Sequence, residues 1–350
     1  MSRTVLPRTV ISGIGIVSSV GIKKEEFWAA LDTDKKGFGD ITLFPTEDSQ
    51  IKKGAEIKQF NPENLLFDKR YRFFSRSTKF ALAAARIALE DSKIQTHGSA
   101  FSVYRDRDTG VVLGSTFGQL TLITHFDKNI LQNGPRSSSP IGFAQVVYNS
   151  QSSVVSIWER CRALNITLSS GNISSLAAIN LARKNIQRNR ARLILTGGTE
   201  ELSHEIMFKE GLGEGAVVIV LENYNDAKIR GEFKQPLYGE VIGFGSSFHK
   251  NIVESIRISL GRALIEARIN IDDLDLVCID DPDRVICNRI FRKNIQVFNV
   301  AEYVGDTLSA SGAFQLAGGL YHFEKNDELK YALIISHDDA NSAVLIVRRR

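Results

Sequence analysis

Apolar positions along the chain follow two spacings, one suited to strands and one to helices, in regular alternation. Thr9 to Val17 is a near-continuous apolar run entering a glycine-rich turn and predicts a buried strand. Lys24 to Leu31 carries helical spacing. Ser75 to Asp91 predicts a longer helix, with Phe80, Ala81, Ala84, Ala85, Ala88 and Leu89 on one stripe. Val111 to Ser115 reads as a short strand and Gln119 to Leu131 as a helix stopped near Asn133-Gly134-Pro135. Residues 137–155 are rich in Ser, yet Phe143, Val146, Val147 and Tyr148 suit a small-residue helix that packs. Asn165 to Ser169 alternates as a strand, Ser170-Gly171-Asn172 turns, and Ser174 to Ile186 is helical. Arg192 to Thr196 is a strand ending at Gly197-Gly198, and Gly215 to Glu222 is a continuous strand that is apolar up to its final glutamate, as when both faces of a strand are covered.

The second half repeats this order: strand Val241 to Gly245, helix Ile252 to Ala267, strand Leu276 to Asp280, loop and helix Gly305 to Leu320, strands Tyr331 to Ser336 and Ala343 to Val347. The turns at Ser170-Gly171 and Ser311-Gly312 lie 311 − 170 = 141 positions apart, and Leu193 and Leu333 in the following strands lie 333 − 193 = 140 apart. Near-equal offsets predict an internal duplication, with an N-terminal half at 1–232 and a C-terminal half at 233–350. The fold class is α/β, two βαβ-rich halves packed as layers.

Composition narrows the function. The net charge of 44 − 40 = +4 is too small for a dedicated nucleic-acid protein. The basic clusters Arg183, Lys184, Arg188, Arg190, Arg192 and Arg348 to Arg350 read as solvated faces. Three cysteines, an odd number without ligand-like spacing, fit a reduced compartment, so a cytoplasmic location is expected. The start of the chain lacks the pattern of a signal peptide, and no run reaches the ~18 apolar residues of a membrane span. Gly13-Ile-Gly15 lacks the third glycine and the acidic residue of a dinucleotide site, and no metal, nucleotide or flavin motif is seen, so no cofactor is expected.

An ordered set of segments resembles the ketosynthases of the thiolase superfamily. These are Val10-Ile-Ser-Gly-Ile-Gly-Ile-Val-Ser18, Leu195-Thr-Gly-Gly-Thr-Glu200, Gly213 through Gly231, and Gly239-Glu-Val-Ile-Gly-Phe-Gly245. The resemblance implies a thiolase-like fold with a layered α-β-α-β-α core. It also implies a cysteine at a buried helix N-terminus, where the dipole lowers its pKa, and two His donors and a Lys serving decarboxylative condensation of malonyl-carrier-protein units. Carried over residue by residue, the Cys position falls on Asn172, the first His on Asp280, the Lys on Ala301 and the second His on Asp306. The glycine-rich C-terminal loop is matched by His337-Asp-Asp-Ala-Asn-Ser342, which has no glycine.

An amide is no acyl acceptor, and an ionised carboxylate accepts hydrogen bonds without donating them. The expectation drawn from these departures is that the chain is not an enzyme by itself. Its pattern is similar to the chain-length factor of type II polyketide synthases, the ketosynthase β subunit. That family pairs with a catalytic ketosynthase α subunit in an αβ heterodimer served by an acyl carrier protein. Phe117-Gly118-Gln119 matches a Phe-Gly-Gln of aromatic-polyketide members, and the resemblance implies that Phe117, Leu120 and Thr124 line a tunnel at the dimer interface; core packing is the alternative. It further implies pairing through the strand Asn165, Ile166, Thr167, Leu168 and Ser169. Between Glu200 and Gly213 the chain is shorter than the family's usual stretch, which leaves direct carrier docking open. Three other readings stay open: a partner subunit for aryl polyene or other fatty-acid-like chains, a homodimeric scaffold binding an acyl chain, and an independent enzyme using Asp280 and Asp306 as a carboxylate pair, against which stands pairing of these groups with Arg284 or another cation.

Overall fold

The computed structural model describes residues 7–46, 50–66, 69–94, 104–230, 237–291 and 295–350. In the N-terminal part, β1 (Thr9–Ser18) leads to α1 (Lys24–Asp32) and α2 (Arg76–Asp91), then β2 (Thr109–Gly114), α3 (Leu120–Asn133), α4 (Pro140–Val146), α5 (Ser150–Trp158) and β3 (Asn165–Leu168). There follow α6 (Ser174–Gln187), β4 (Leu193–Glu200), β5 (Gly215–Asn223) and α7 (Tyr224–Arg230). The C-terminal part runs β6 (Gly239–Phe248), α8 (Ile252–Ala267), β7 (Leu276–Cys278), α9 (Val285–Ile290), β8 (Gln296–Phe298), α10 (Ala301–Val304), α11 (Ser311–Lys325), β9 (Tyr331–His337) and β10 (Asn341–Arg349).

The main sheet has the order β3-β2-β4-β5-β1-β6-β10-β9-β7-β8. Read from either edge inward, each set of five strands takes the order third, second, fourth, fifth, first, with the same parallel and antiparallel pairings. The two sets meet at β1 and β6 through only two residue pairs, Val10 with Glu240 and Ile11 with Gly239. The expected boundary between residues 232 and 233, like Gly231 at the end of one resembling segment, lies outside the described residues.

The period of two along the strands divides the core between three large clusters. Val217, Ile219 and Leu221 of β5 face a central cluster with α6 and α11, while Ala216, Val218 and Val220 face α2 on the outside. In β10, Leu345 and Val347 turn to the same central cluster, and Val344 and Ile346 to α8. The layers are therefore α2, sheet, α6 with α11, sheet, α8, as expected from the sequence. Glycine permits the tight contact of α2 with β1, because a β-carbon on Gly15 would stand 1.9 Å from the Ala84 carbonyl oxygen. Ser75 caps α2 by accepting from the Thr78 amide at 3.1 Å.

Several expectations need correction. Phe143, Val147 and Tyr148, read as packing residues, are exposed, and so are Leu131 and Ile157 nearby. The basic clusters are not all solvated. Arg183 is 2% exposed and bonded to Asn180 and Glu266. Arg192 pairs with Asp226, and Arg348 and Arg350 join Arg8 around the buried Glu240 at the seam between β1 and β6. The strand expected over Leu276 to Asp280 stops at Cys278, so Asp280 lies in the following loop. No helix of the described residues is long and apolar enough to cross a membrane.

Candidate active site

The turn after β3 is held from several sides. Gly171 takes φ +62°, a conformation that favours glycine. Its carbonyl accepts from Thr116 Oγ1 at 3.0 Å and Ser174 Oγ at 2.6 Å, and Ser174 Oγ accepts from the Ser170 amide at 2.8 Å. Asn172 follows, half-buried just before α6, with its carbonyl accepting from Ser336 Oγ at 2.7 Å. The next residue of β9, His337, places Nε2 3.0 Å from the carbonyl oxygen of Asp280. Consecutive residues of one strand thus reach the Asn172 turn and the Asp280 loop.

Asp280 is half-buried and accepts from Asn299 Nδ2 at 3.1 Å. Burial pushes its carboxyl above the ordinary Asp range; the Asn299 bond opposes this, and the negative charge of Asp306 adds to it. Asn299 Oδ1 also accepts from the Ala301 amide at 3.0 Å, which ties the first residue of α10 to the same network. Asp306 accepts from the Leu308 amide at 2.8 Å and Ser311 Oγ at 2.9 Å, and it forms an ion pair with Lys209. Asp280 and Asp306 therefore share one electrostatic environment, but Arg284 is not their cation, since its guanidinium donates to the Ile295 carbonyl.

Phe117 and Leu120 pack against a small cluster of Leu202, Ile206, Leu212 and Leu308, and the Phe117 ring lies 6.3 Å from that of Phe208. Thr124 is half-buried one turn further along α3. Phe117 does not share a helical face with Leu120 and Thr124, because Gly118 has φ +67° and α3 begins only at Leu120. Beside this cluster lies a cavity of about 520 Å³ lined by Phe44, Phe74, Leu122, His125, Glu201 and His204 among others. Strand β3 is a sheet edge, with Ile166 and Leu168 packed inward, Thr167 Oγ1 2.7 Å from Ser152 Oγ, and Asn165 donating to Ser153 Oγ at 3.1 Å. Ser169 follows the strand, exposed, its hydroxyl 3.4 Å from the Thr116 carbonyl.

The described thiols are buried. Burial raises all three, Cys161 and Cys287 each to about 12, so none is a ready nucleophile at neutral pH. The sequence reading gave no site role to Lys209, Asn299, Ser336 or His337, although His337 heads the segment matched to the C-terminal loop. It also missed the role of Glu200, whose buried carboxylate accepts from the Thr116 amide at 2.9 Å, the Phe117 amide at 3.2 Å and Ser309 Oγ at 2.6 Å. The only signal available was its place at the end of a glycine-bearing strand.

Glu200 and Glu201 are both pushed up to about 7, chiefly by burial. A carboxyl raised in the folded state contributes stability that is full below the ordinary value of 4.5 and lost as pH rises to about 7. Glu201→Gln is expected to remove its share of that slope, gaining about 3 kcal/mol on wild type between pH 4.5 and pH 8 in denaturation experiments. A difference that stays constant with pH would show that Glu201 titrates normally.

Residues 7–211 match the β-ketoacyl synthase N-terminal domain. A 3-oxoacyl-(acyl-carrier-protein) synthase 2 from Coxiella burnetii is 30% identical over 268 residues, 69% of this chain. The match spans 63% of that relative's length. Among solved structures, the ishigamide ketosynthase/chain length factor superposes with TM-score 0.87 at 20% identity, covering 99% of this chain and all (100%) of that one. A type II PKS acyl-carrier protein in complex with its ketosynthase, AntDE:AntF, gives TM-score 0.80 at 16% identity, covering 99% and 100%. The expectation that the chain is not an enzyme is overturned by the Coxiella relative, which is named as a synthase. The layered fold, the repeated strand order and this match agree: the chain belongs to the β-ketoacyl synthase family.

Proposed function

We propose that this chain is one subunit of a two-chain condensing enzyme, occupying the chain-length-factor place beside a ketosynthase α subunit. The observation that carries the reading is Asn172, which stands at the turn before α6, where the family resemblance implies the acyl-bearing thiol. In the assembly that thiol comes from the partner subunit, and malonyl units arrive on an acyl carrier protein in the cytoplasm. The likeness of the fold to a ketosynthase/chain length factor supports this reading. The repeated strand order likewise supports two duplicated halves, 1–232 and 233–350.

In this reading Phe117, Leu120 and Thr124 face the growing chain, and Phe117 limits its length. The Phe-Gly-Gln at 117–119 favours an aromatic polyketide over an aryl polyene or fatty-acid-like product. The test is reconstitution of the chain with a type II ketosynthase and malonyl-loaded carrier protein. Native mass spectrometry is expected to find two different chains in the active species, and Phe117→Ala is expected to lengthen the products. A homodimer of this chain alone that condenses malonyl units would overturn the reading.

A further inference from the structure

We infer that Glu200 is a positioning residue whose buried carboxylate fixes the Thr116–Phe117 backbone and so sets where the Phe117 ring stands. The inference rests on the role proposed above for Phe117. Glu200 is the last residue of β4 and is fully buried, at 0% exposure. A buried carboxylate is costly unless its oxygens are bonded, and here they serve two successive amides of the loop from β2 to α3 and one hydroxyl. That hydroxyl belongs to Ser309, three residues after Asp306, so one carboxylate joins the Phe117 loop to the segment that holds Asp306.

The loop is gripped at a second point. Thr116 Oγ1 donates to the Gly171 carbonyl at 3.0 Å, one residue before Asn172. Past the grip, the Gly118 amide donates to Ser115 Oγ at 3.2 Å and the chain turns into α3. Phe117 therefore has its amide fixed by Glu200 and its ring set against Phe208 and the Leu202 cluster. A glutamine at 200 has a single acceptor oxygen and cannot reproduce the three bonds, and an alanine accepts none.

The test uses the reconstituted two-chain enzyme carrying Glu200→Gln or Glu200→Ala. Amide exchange at Thr116 and Phe117 is expected to quicken about tenfold or more in Glu200→Ala, with a smaller change in Glu200→Gln. The ratio of off-length to main product, which does not depend on total turnover, is expected to rise about fivefold, because small displacements at a reacting chain carry large effects. If Glu200→Ala does not assemble, Glu200→Gln and Ser309→Ala carry the same two readouts. Unchanged exchange, or faster exchange with an unchanged product ratio, overturns the inference. Phe117→Ala separates the two claims. If it alters product length while the Glu200 variants do not, only the positioning role falls; if it too leaves length unaltered, the tunnel reading falls and takes the inference with it.

Discussion

Thr167→Pro is expected to abolish pairing with the proposed ketosynthase partner while leaving the circular dichroism of the chain unchanged. Val111 donates to the Leu164 carbonyl and Ser115 to that of Leu168, so the even-numbered peptides of β3 face β2. By alternation the peptide groups of Asn165, Thr167 and Ser169 point away from the sheet, toward the edge that a partner strand would join. A proline at 167 removes an outward donor and leaves the ladder to β2 intact, the position at which an edge strand tolerates proline. Exposed Ile157 on neighbouring α5, with Leu131, Phe143 and Tyr148, adds apolar surface to this side of the molecule. Obligate interfaces bury about 2,000–5,000 Å², so the same exposure predicts poor solubility for the chain purified alone and rescue by co-expression. A stable, monodisperse monomer at micromolar concentration, or a Thr167→Pro chain that still co-purifies with its partner, would count against the interface.

The second large effect concerns stability. Glu214 is fully buried and accepts from Arg76 through two bonds at 2.8 and 2.6 Å, from the Ile57 amide at 2.8 Å and from the Leu202 amide at 3.2 Å. Arg76 in turn lies over the Phe80 ring and is only 27% exposed. Replacing Arg76 by alanine leaves this carboxylate bonded but without its counter-charge, and the expected loss is about 3–5 kcal/mol. Arg76→Met combined with Glu214→Leu is expected to recover only part of that loss, since removing both charges removes the desolvation cost but leaves the Ile57 and Leu202 amides without their acceptor. Chemical denaturation of the single and double variants measures both. A loss under about 1 kcal/mol for Arg76→Ala would place this pair among ordinary surface bridges.

Long periodic elements were legible in the sequence because burial on one or both faces imposes their spacing. The helix at Ile252–Ala267 has the bounds its pattern implies, and the unbroken apolar run of β5 reflects cover on both faces. The three-residue edge strand Gln296–Phe298 and the six-residue helix Val285–Ile290 were not legible, since neither completes a period that could be distinguished from loop. Strand β4 continues through Gly197 and Gly198 to Glu200, where the glycines had signalled an end. They lie within the strand because neighbouring segments press on it: a β-carbon on Gly197 would stand 1.9 Å from the Val217 carbonyl oxygen.

For the site, the Ser170-Gly171-Asn172 turn was visible, because turn residues announce themselves locally. The contacts that assemble the rest were not. Glu200 reaches Ser309 across 109 positions and Lys209 reaches Asp306 across 97, and no local pattern encodes either. Phe117 was grouped with Leu120 and Thr124 through the resemblance, and the positive φ of Gly118 sets it off the register of α3.

The middle helical layer is common property of the two five-strand sets. With α6 and α11 filling one cluster that also takes side chains from β5 and β10, neither strand set with its helices encloses a finished interior of its own. Recombination between relatives should therefore respect this layer. Chimeras that exchange α2 or α8 with their matching strand faces keep each outer contact whole, whereas a crossover that mates one parent's α6 with another's α11 brings together surfaces that never evolved against each other.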